Sequence, residues 1–210
     1  LYFHKLNPFS PKKSAEQKKD TWILWSKVLV AAVPAAIVGL LFDDIIDSYL
    51  YNPLTVAITL FVYGVLFIII EKTKKPASIK NLNDLDYLTA LKIGAFQMLA
   101  LIPGTSRSGS TILGASIVGC SRRVASEFSF FLAIPMMFGA SLLKLIKLKM
   151  SLDFAGIAIL LTGMVVAFVV SVVAIKSLLK YIKKHDFTAF GIYRIVLAVI
   201  IAVCLLFEII

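Results

Sequence analysis

The side chains best suited to chemistry in this sequence are concentrated in Pro103-Gly104-Thr105-Ser106-Arg107-Ser108-Gly109-Ser110-Thr111. Ser106, Ser108, Ser110 and Thr111 supply hydroxyl donors, and Gly104 and Gly109 let the backbone approach a ligand closely. Arg107 supplies a planar, permanently charged fork of N–H donors. A helix starting near Ser108 to Ser110 adds unpaired backbone N–H groups and a positive dipole end. Guanidinium, hydroxyls and a helix N-terminus together make an anion site, and phosphate is the anion they match best. Any single glycine or serine here is explained by helix packing alone. The arginine is not.

Composition decides which elements must carry this segment. The chain has 210 residues, of which 60% are hydrophobic and 16% charged, with mean hydropathy +0.92. Soluble domains carry about 25% charged residues. The apolar residues come in blocks of helix-spanning length rather than alternating, so the chain reads as an all-α polytopic membrane protein. Spanning helices are expected over residues 22–42, 54–71, 124–143, 154–175 and 187–210, within a single membrane domain covering 1–210. Pro34 and Pro135 fall inside two of them, which membrane helices tolerate.

Segment 87–119 is different. Its first arm, Tyr87 to Ile102, meets Pro103-Gly104, and its second, Ser110 to Gly119, is too short to cross. Two short arms around such a break predict a re-entrant hairpin. If 87–119 returns to its own side, fifteen loop lysines and arginines share one face against three on the other; if it crosses once, the split is twelve to six. The positive-inside rule favours the hairpin and puts Asp43, Asp44 and Asp47 in an outer loop, 43–53. Arg107 then lies at the tip, where a charge is costly unless paired or hydrated, and is a functional-site hypothesis by default.

The remaining ionisable groups have simpler readings. Lys27 and Lys92 lie near helix ends and can snorkel, while the position of Arg194, about two turns into the last helix, assigns it no role. Glu127 reads as a helix-start carboxylate pairing with a nearby arginine. His4 and His185 fall in loops on the basic face. Cys120 and Cys204 form no metal-ligand or redox pair by spacing. The net charge of +10 falls in loops where topology already requires it, without the aromatic interleaving that grips single strands, so nucleic acid is not a partner.

At these residues the sequence resembles the bacterial undecaprenyl pyrophosphate phosphatase family, the bacitracin-resistance proteins. The match is Pro103-Gly104-x-Ser106-Arg107-Ser108-x-x-Thr111, preceded by Gln97. It continues through Ser121-Arg122, Ala125, Glu127-Phe128-Ser129-Phe130, Pro135 and Gly139-Ala140 to Tyr193-Arg194, so it covers essentially the whole chain. The resemblance implies an enzyme of the bacterial plasma membrane that dephosphorylates undecaprenyl diphosphate, recycles the lipid carrier for peptidoglycan synthesis and confers bacitracin resistance. It implies two inverted repeats, each with a re-entrant hairpin, around a site open to the extracytoplasmic side. It also implies Mg²⁺ or Ca²⁺, and is compatible with a homodimer.

Carried over by position, Arg107, Ser106 and Thr111 are the catalytic, phosphate-contacting residues, with Gly104, Ser108, Ser110 and Gln97 binding substrate. The family's first hairpin carries Glu-x-x-x-Glu and Ser-Ser-Thr-Gly-His segments, and neither occurs in 1–210. The expectation is that the N-terminal part of the protein precedes Leu1, that this chain holds no metal ligands, and that alone it is half a site and inactive. A polyprenyl-phosphate carrier without hydrolysis is the alternative, because an anion site between broken helices serves either task.

Overall fold

The computed structural model describes residues 2–73, 76–147, 154–182 and 185–208. A four-residue helix α1 (Phe3–Leu6) precedes the long α2 (Ala15–Leu50) and α3 (Pro53–Thr73). The hairpin follows as α4 (Tyr87–Met98), a 3₁₀ turn (Leu99–Leu101) and α5 (Arg107–Ile117). Helices α6 (Arg122–Lys147), α7 (Phe154–Ile182) and α8 (Thr188–Leu206) complete the described chain. Five of these helices are long and apolar enough to cross a membrane, and among the described residues there is no strand, only an isolated bridge. The all-α polytopic expectation holds.

Helix bounds depart from the hydropathy pass where polar residues continue a helix. Ser14 caps α2 through a reciprocal box with Gln17, whose N–H donates to Ser14 Oγ at 3.2 Å while Ser14 N–H donates to Gln17 Oε1 at 3.1 Å. The helix runs through Pro34 to Leu50, so Asp43, Asp44 and Asp47 occupy its last turns rather than a loop. Hydropathy ends the span at Phe42, but nothing breaks the backbone before Asn52-Pro53, where a residue preceding proline disfavours helix. Asn52 Oδ1 then accepts from Thr55 N–H at 2.8 Å to start α3.

Both ends of the hairpin lie together. Asp86 caps α4 by accepting from Thr89 N–H at 2.7 Å; the Thr89 hydroxyl and amide hold its carboxyl below the usual range. At the far end α5 closes in a Schellman arrangement: Cys120 N–H donates to Ala115 O at 2.9 Å and Gly119 N–H to Ser116 O at 3.2 Å. Gly119 has φ +94°, where a side chain would be strained. The next residues bridge back across the hairpin base, Ile79 N–H to Gly119 O at 3.1 Å and Ser121 N–H to Ile79 O at 2.9 Å. Arg122 engages the Glu71 carboxylate through Nε and Nη2, tying the start of α6 to the end of α3.

Small residues bring the helices close. A Cβ on Gly94 would strike the Ala31 backbone of α2, and one on Gly114 would strike Phe96 of α4. Gly64 and Gly191 face each other across α3 and α8, each Cβ position within 2.8 Å of the other's carbonyl oxygen. The core gathers around Phe128, Phe131 and Leu132 of α6 with Val28, Leu85 and Ile93. Helix α7 leaves most of its apolar side chains exposed, while Ile182 at its end is buried in the core. Lys27 does not snorkel to water: it is 8% exposed, with Nζ 5.9 Å from the Tyr87 ring centroid.

Replacing Gly94 by Ala forces the α2–α4 contact apart and costs on the order of 1–3 kcal/mol. A lower unfolding temperature in detergent is the expected reading. Gly163→Ala, where a Cβ meets nothing within 4 Å, leaves that temperature unchanged or raises it.

Candidate functional site

The hairpin tip is held at depth by its backbone. Thr59 Oγ1 donates to Pro103 O at 2.7 Å, and Arg194 Nη1 donates to Gly104 O at 3.1 Å. Thr59 lies twelve residues before Glu71 on α3, which at 1.5 Å per residue puts the tip roughly 18 Å from the hairpin base. That is about half of a ~30 Å hydrocarbon core. Gly104, at φ +86°, has its missing side chain's space filled by Thr59 and Val56, so it docks the tip on α3 instead of admitting a ligand.

Ser106 begins α5 at φ 60° and ψ 123°, an uncommon conformation for a residue with a side chain. The surrounding contacts repay a strain of about 1–3 kcal/mol, because Ser106 Oγ there accepts Gly109 N–H at 3.3 Å. Ser106 and Ser108 are exposed and line a cavity of about 270 Å³ together with Gly109, Tyr193 and Arg194. Ser110 and Thr111 are fully buried instead. Ser110 Oγ donates to Tyr63 Oη at 3.2 Å. Thr111 Oγ1 lies 2.5 Å from Ser129 Oγ and within 3.2 Å of the carbonyls of Arg107 and Ser108. These two hydroxyls are committed to holding the first turn of α5 and do not face the cavity. Gln97 is 1% exposed, and neither its Oε1 nor its Nε2 has a partner.

Arg107 is the unusual member. Its Nη1 donates a long bond to Ser129 O at 3.4 Å, while Nε and Nη2 are buried with no partner. No carboxylate neutralises it among the described residues, where the arginine ion pairs belong to Arg122 and Arg123. Its guanidinium turns toward α6 rather than into the 270 Å³ cavity, whose guanidinium is Arg194. The tip is therefore flanked by two half-buried cations.

Arg194 is the residue whose sequence position left it without a role. It stands beside Gly109, whose Cβ position would lie 3.4 Å from Arg194 Nη2, and its Cζ is 6.0 Å from the Tyr63 centroid. A charge two turns into an apolar helix was the available signal. Ser129, Thr59 and Tyr63 gave none, since isolated hydroxyls in membrane helices ordinarily bond their own backbone. Guanidinium and hydroxyl groups are the wrong donors for a divalent cation. No group of three His, Cys, Asp or Glu side chains gathers among the described residues.

Thr111→Val removes the bond to Ser129 and leaves a buried hydroxyl unpaired, at a cost of about 1–3 kcal/mol. Denaturant or thermal unfolding in detergent reads that loss, and Thr111→Ser recovers most of it.

Residues 1–200 match the family described as bacitracin resistance protein BacA, and the chain belongs to that family. It is 64% identical over 206 residues to an undecaprenyl-diphosphatase of Enterococcus faecalis, covering 96% of this chain and 75% of that protein. Undecaprenyl-diphosphatases of Acetivibrio thermocellus and Lactiplantibacillus plantarum are 60% and 57% identical, with the same shares covered.

Proposed function

We propose that this chain, as a BacA family member, carries the diphosphate-binding half-site of an undecaprenyl-diphosphatase. Water enters, the P–O–P bond breaks, and undecaprenyl phosphate and inorganic phosphate leave. One observation carries the assignment to the hairpin: two Arg107 guanidinium nitrogens are buried without partners, and a buried charged donor lacking an acceptor is a place for an anion.

The residues of the tip divide the work. Arg107 and Arg194 flank the diphosphate and stabilise charge on the transferring phosphoryl group, where preorganised donors act most strongly. The N–H groups of Arg107 and Ser108 lie in the first turn of α5, ahead of its own hydrogen bonding, and point a positive dipole end at the same place. Ser106 and Ser108 offer hydroxyls to phosphate oxygens from the cavity wall, and Gln97 offers a free amide. Thr111, Ser110 and Ser129 keep that turn in register. The divalent ion implied by the resemblance would supply Lewis-acid chemistry when bound. None of these roles depends on it.

Orientation follows from charge. The hairpin base, the start of α6 and the lysines around them form one basic end, which the positive-inside rule assigns to the cytoplasm. The tip is then reached from the extracytoplasmic side. The prenyl chain lies in lipid alongside, against exposed apolar helix surface.

In the intact protein, Arg107→Lys keeps the charge and loses the fork, so phosphate release from undecaprenyl diphosphate falls on the order of tenfold to a thousandfold. Arg194→Lys, losing both its Gly104 anchor and a cavity cation, falls by about tenfold or more. Phosphate release from purified protein in detergent checks both. Near-normal turnover of Arg107→Lys, or lipid movement without phosphate release, refutes the reading.

A further inference from the structure

Arg194 is held at the tip without any negative charge. Its Cζ lies over the Tyr63 ring, 6.0 Å from the centroid, and its Nη1 donates to Gly104 O at 3.1 Å. Tyr63 belongs to α3 and is 6% exposed. Its ring is fixed in turn, because Ser110 Oγ, buried in the first turn of α5, donates to Tyr63 Oη at 3.2 Å. One side chain thus stands between the start of α5 and the guanidinium that α8 brings to the cavity.

The helix backbones set the separation that the ring fills. Gly64, the next residue on α3, meets Gly191, about one turn before Arg194 on α8. A Cβ on either would lie within 2.8 Å of the other's carbonyl oxygen. Ile195 packs at the same level, its Cγ1 2.7 Å from where a Gly64 Cβ would stand. Small residues permit such an approach between membrane helices. Every one of these contacts lies among α3, α8 and the hairpin.

The choice of an aromatic partner has a chemical consequence. A carboxylate would position Arg194 equally well, but it would neutralise the charge and occupy N–H donors. An aromatic face attracts a cation through its quadrupole and takes neither. That attraction strengthens where water is excluded. Stabilisation of developing charge requires donors already in place, and this arrangement places one cation without spending it.

We propose that Tyr63 is a positioning residue for the reaction. Its ring, oriented by Ser110, holds the Arg194 guanidinium at the cavity with its charge available to the diphosphate. The inference rests on the reading of Arg194 as a diphosphate-binding cation. Tyr63 itself touches no phosphate, since its hydroxyl is engaged with Ser110.

The test separates ring from hydroxyl in the intact protein, purified in detergent. Tyr63→Phe/Ser110→Ala and Tyr63→Leu/Ser110→Ala both lack the hydroxyl pair and differ in the aromatic face. With phosphate release from undecaprenyl diphosphate as the readout, kcat/KM is lower in the second by on the order of tenfold. Tyr63→Met/Ser110→Ala, with a flexible side chain that fills irregular space, gives the same loss where leucine packs too poorly to fold. Arg194→Gln is then added to each, with protein in excess so that a single slow turnover is read. The aromatic and aliphatic variants now react at equal rates, because no cation remains for the ring to place. A ring that served packing alone would cost the same in both backgrounds. Equal kcat/KM for the aromatic and aliphatic variants with Arg194 present overturns the inference, as does a difference that survives Arg194→Gln. Near-normal turnover of Arg194→Gln in the otherwise unaltered protein instead refutes the underlying reading of Arg194, and the inference falls with it.

Discussion

A guanidinium held halfway through an apolar protein, with no carboxylate paired to it among the described residues, is the constraint around which the rest of this structure is arranged. Leaving Arg107 Nε and Nη2 unpartnered is unfavourable in any interior and more so within a bilayer. The fold could have relieved this by pairing, as it does for Arg122 with Glu71 and for Arg123 with Glu127. Among the described residues its acidic side chains lie at the basic end, in the last turns of α2 and, as Glu208, just past the end of α8 instead. The tip is thereby left with cations and hydroxyls only, a composition that favours an incoming anion and excludes a permanent counterion.

Holding such a tip in place requires an unusually well-anchored hairpin. Broken backbone at this depth is tolerated only where protein or a cavity surrounds it. Here the freed carbonyls of Pro103 and Gly104 are taken by Thr59 and Arg194, and Ser106 accepts an amide from the turn it caps. The base is tied by the Ile79–Cys120 bridge and the Arg122–Glu71 pair. Between tip and base, Gly94 and Gly114 let α2, α4 and α5 approach to backbone contact. In lipid, such close packing supplies the association that hydrophobic burial supplies in water. Arg194 thus has two physical roles at once: it satisfies a carbonyl of the break, and it adds charge to the cavity.

The two ends of the molecule handle charge in opposite ways. At the tip, cations stand without acidic partners, so an anion gains the full benefit of a low-dielectric surround. At the basic end, carboxylates sit among the cations and fix their positions, so that Lys5, Arg122 and Arg123 are ordered rather than free surface charges. The same side-chain types serve selection in one place and topology and anchoring in the other. Depth in the bilayer decides which.

The sequence by itself determined the class of the molecule and the location of its chemistry. Apolar blocks of spanning length require helices, the Pro103-Gly104 break interrupts one of them, and a lone arginine among hydroxyls marks an anion site, all from local composition. Family membership was legible for the same reason, since the motif residues are contiguous. What local composition could not carry was the direction in which each side chain faces. Ser106 and Ser108 reach the cavity, whereas Ser110 and Thr111, with the same chemistry a turn away, are buried supports. Arg194 joins the tip from 90 residues away, and only the packing of α8 on α3 brings it there. Helix ends likewise escaped hydropathy: α2 continues past Phe42 because capping and an unbroken backbone, not apolarity, decide where a helix stops. Residue type is written in the chain, but its neighbours across space are fixed only when the helices pack.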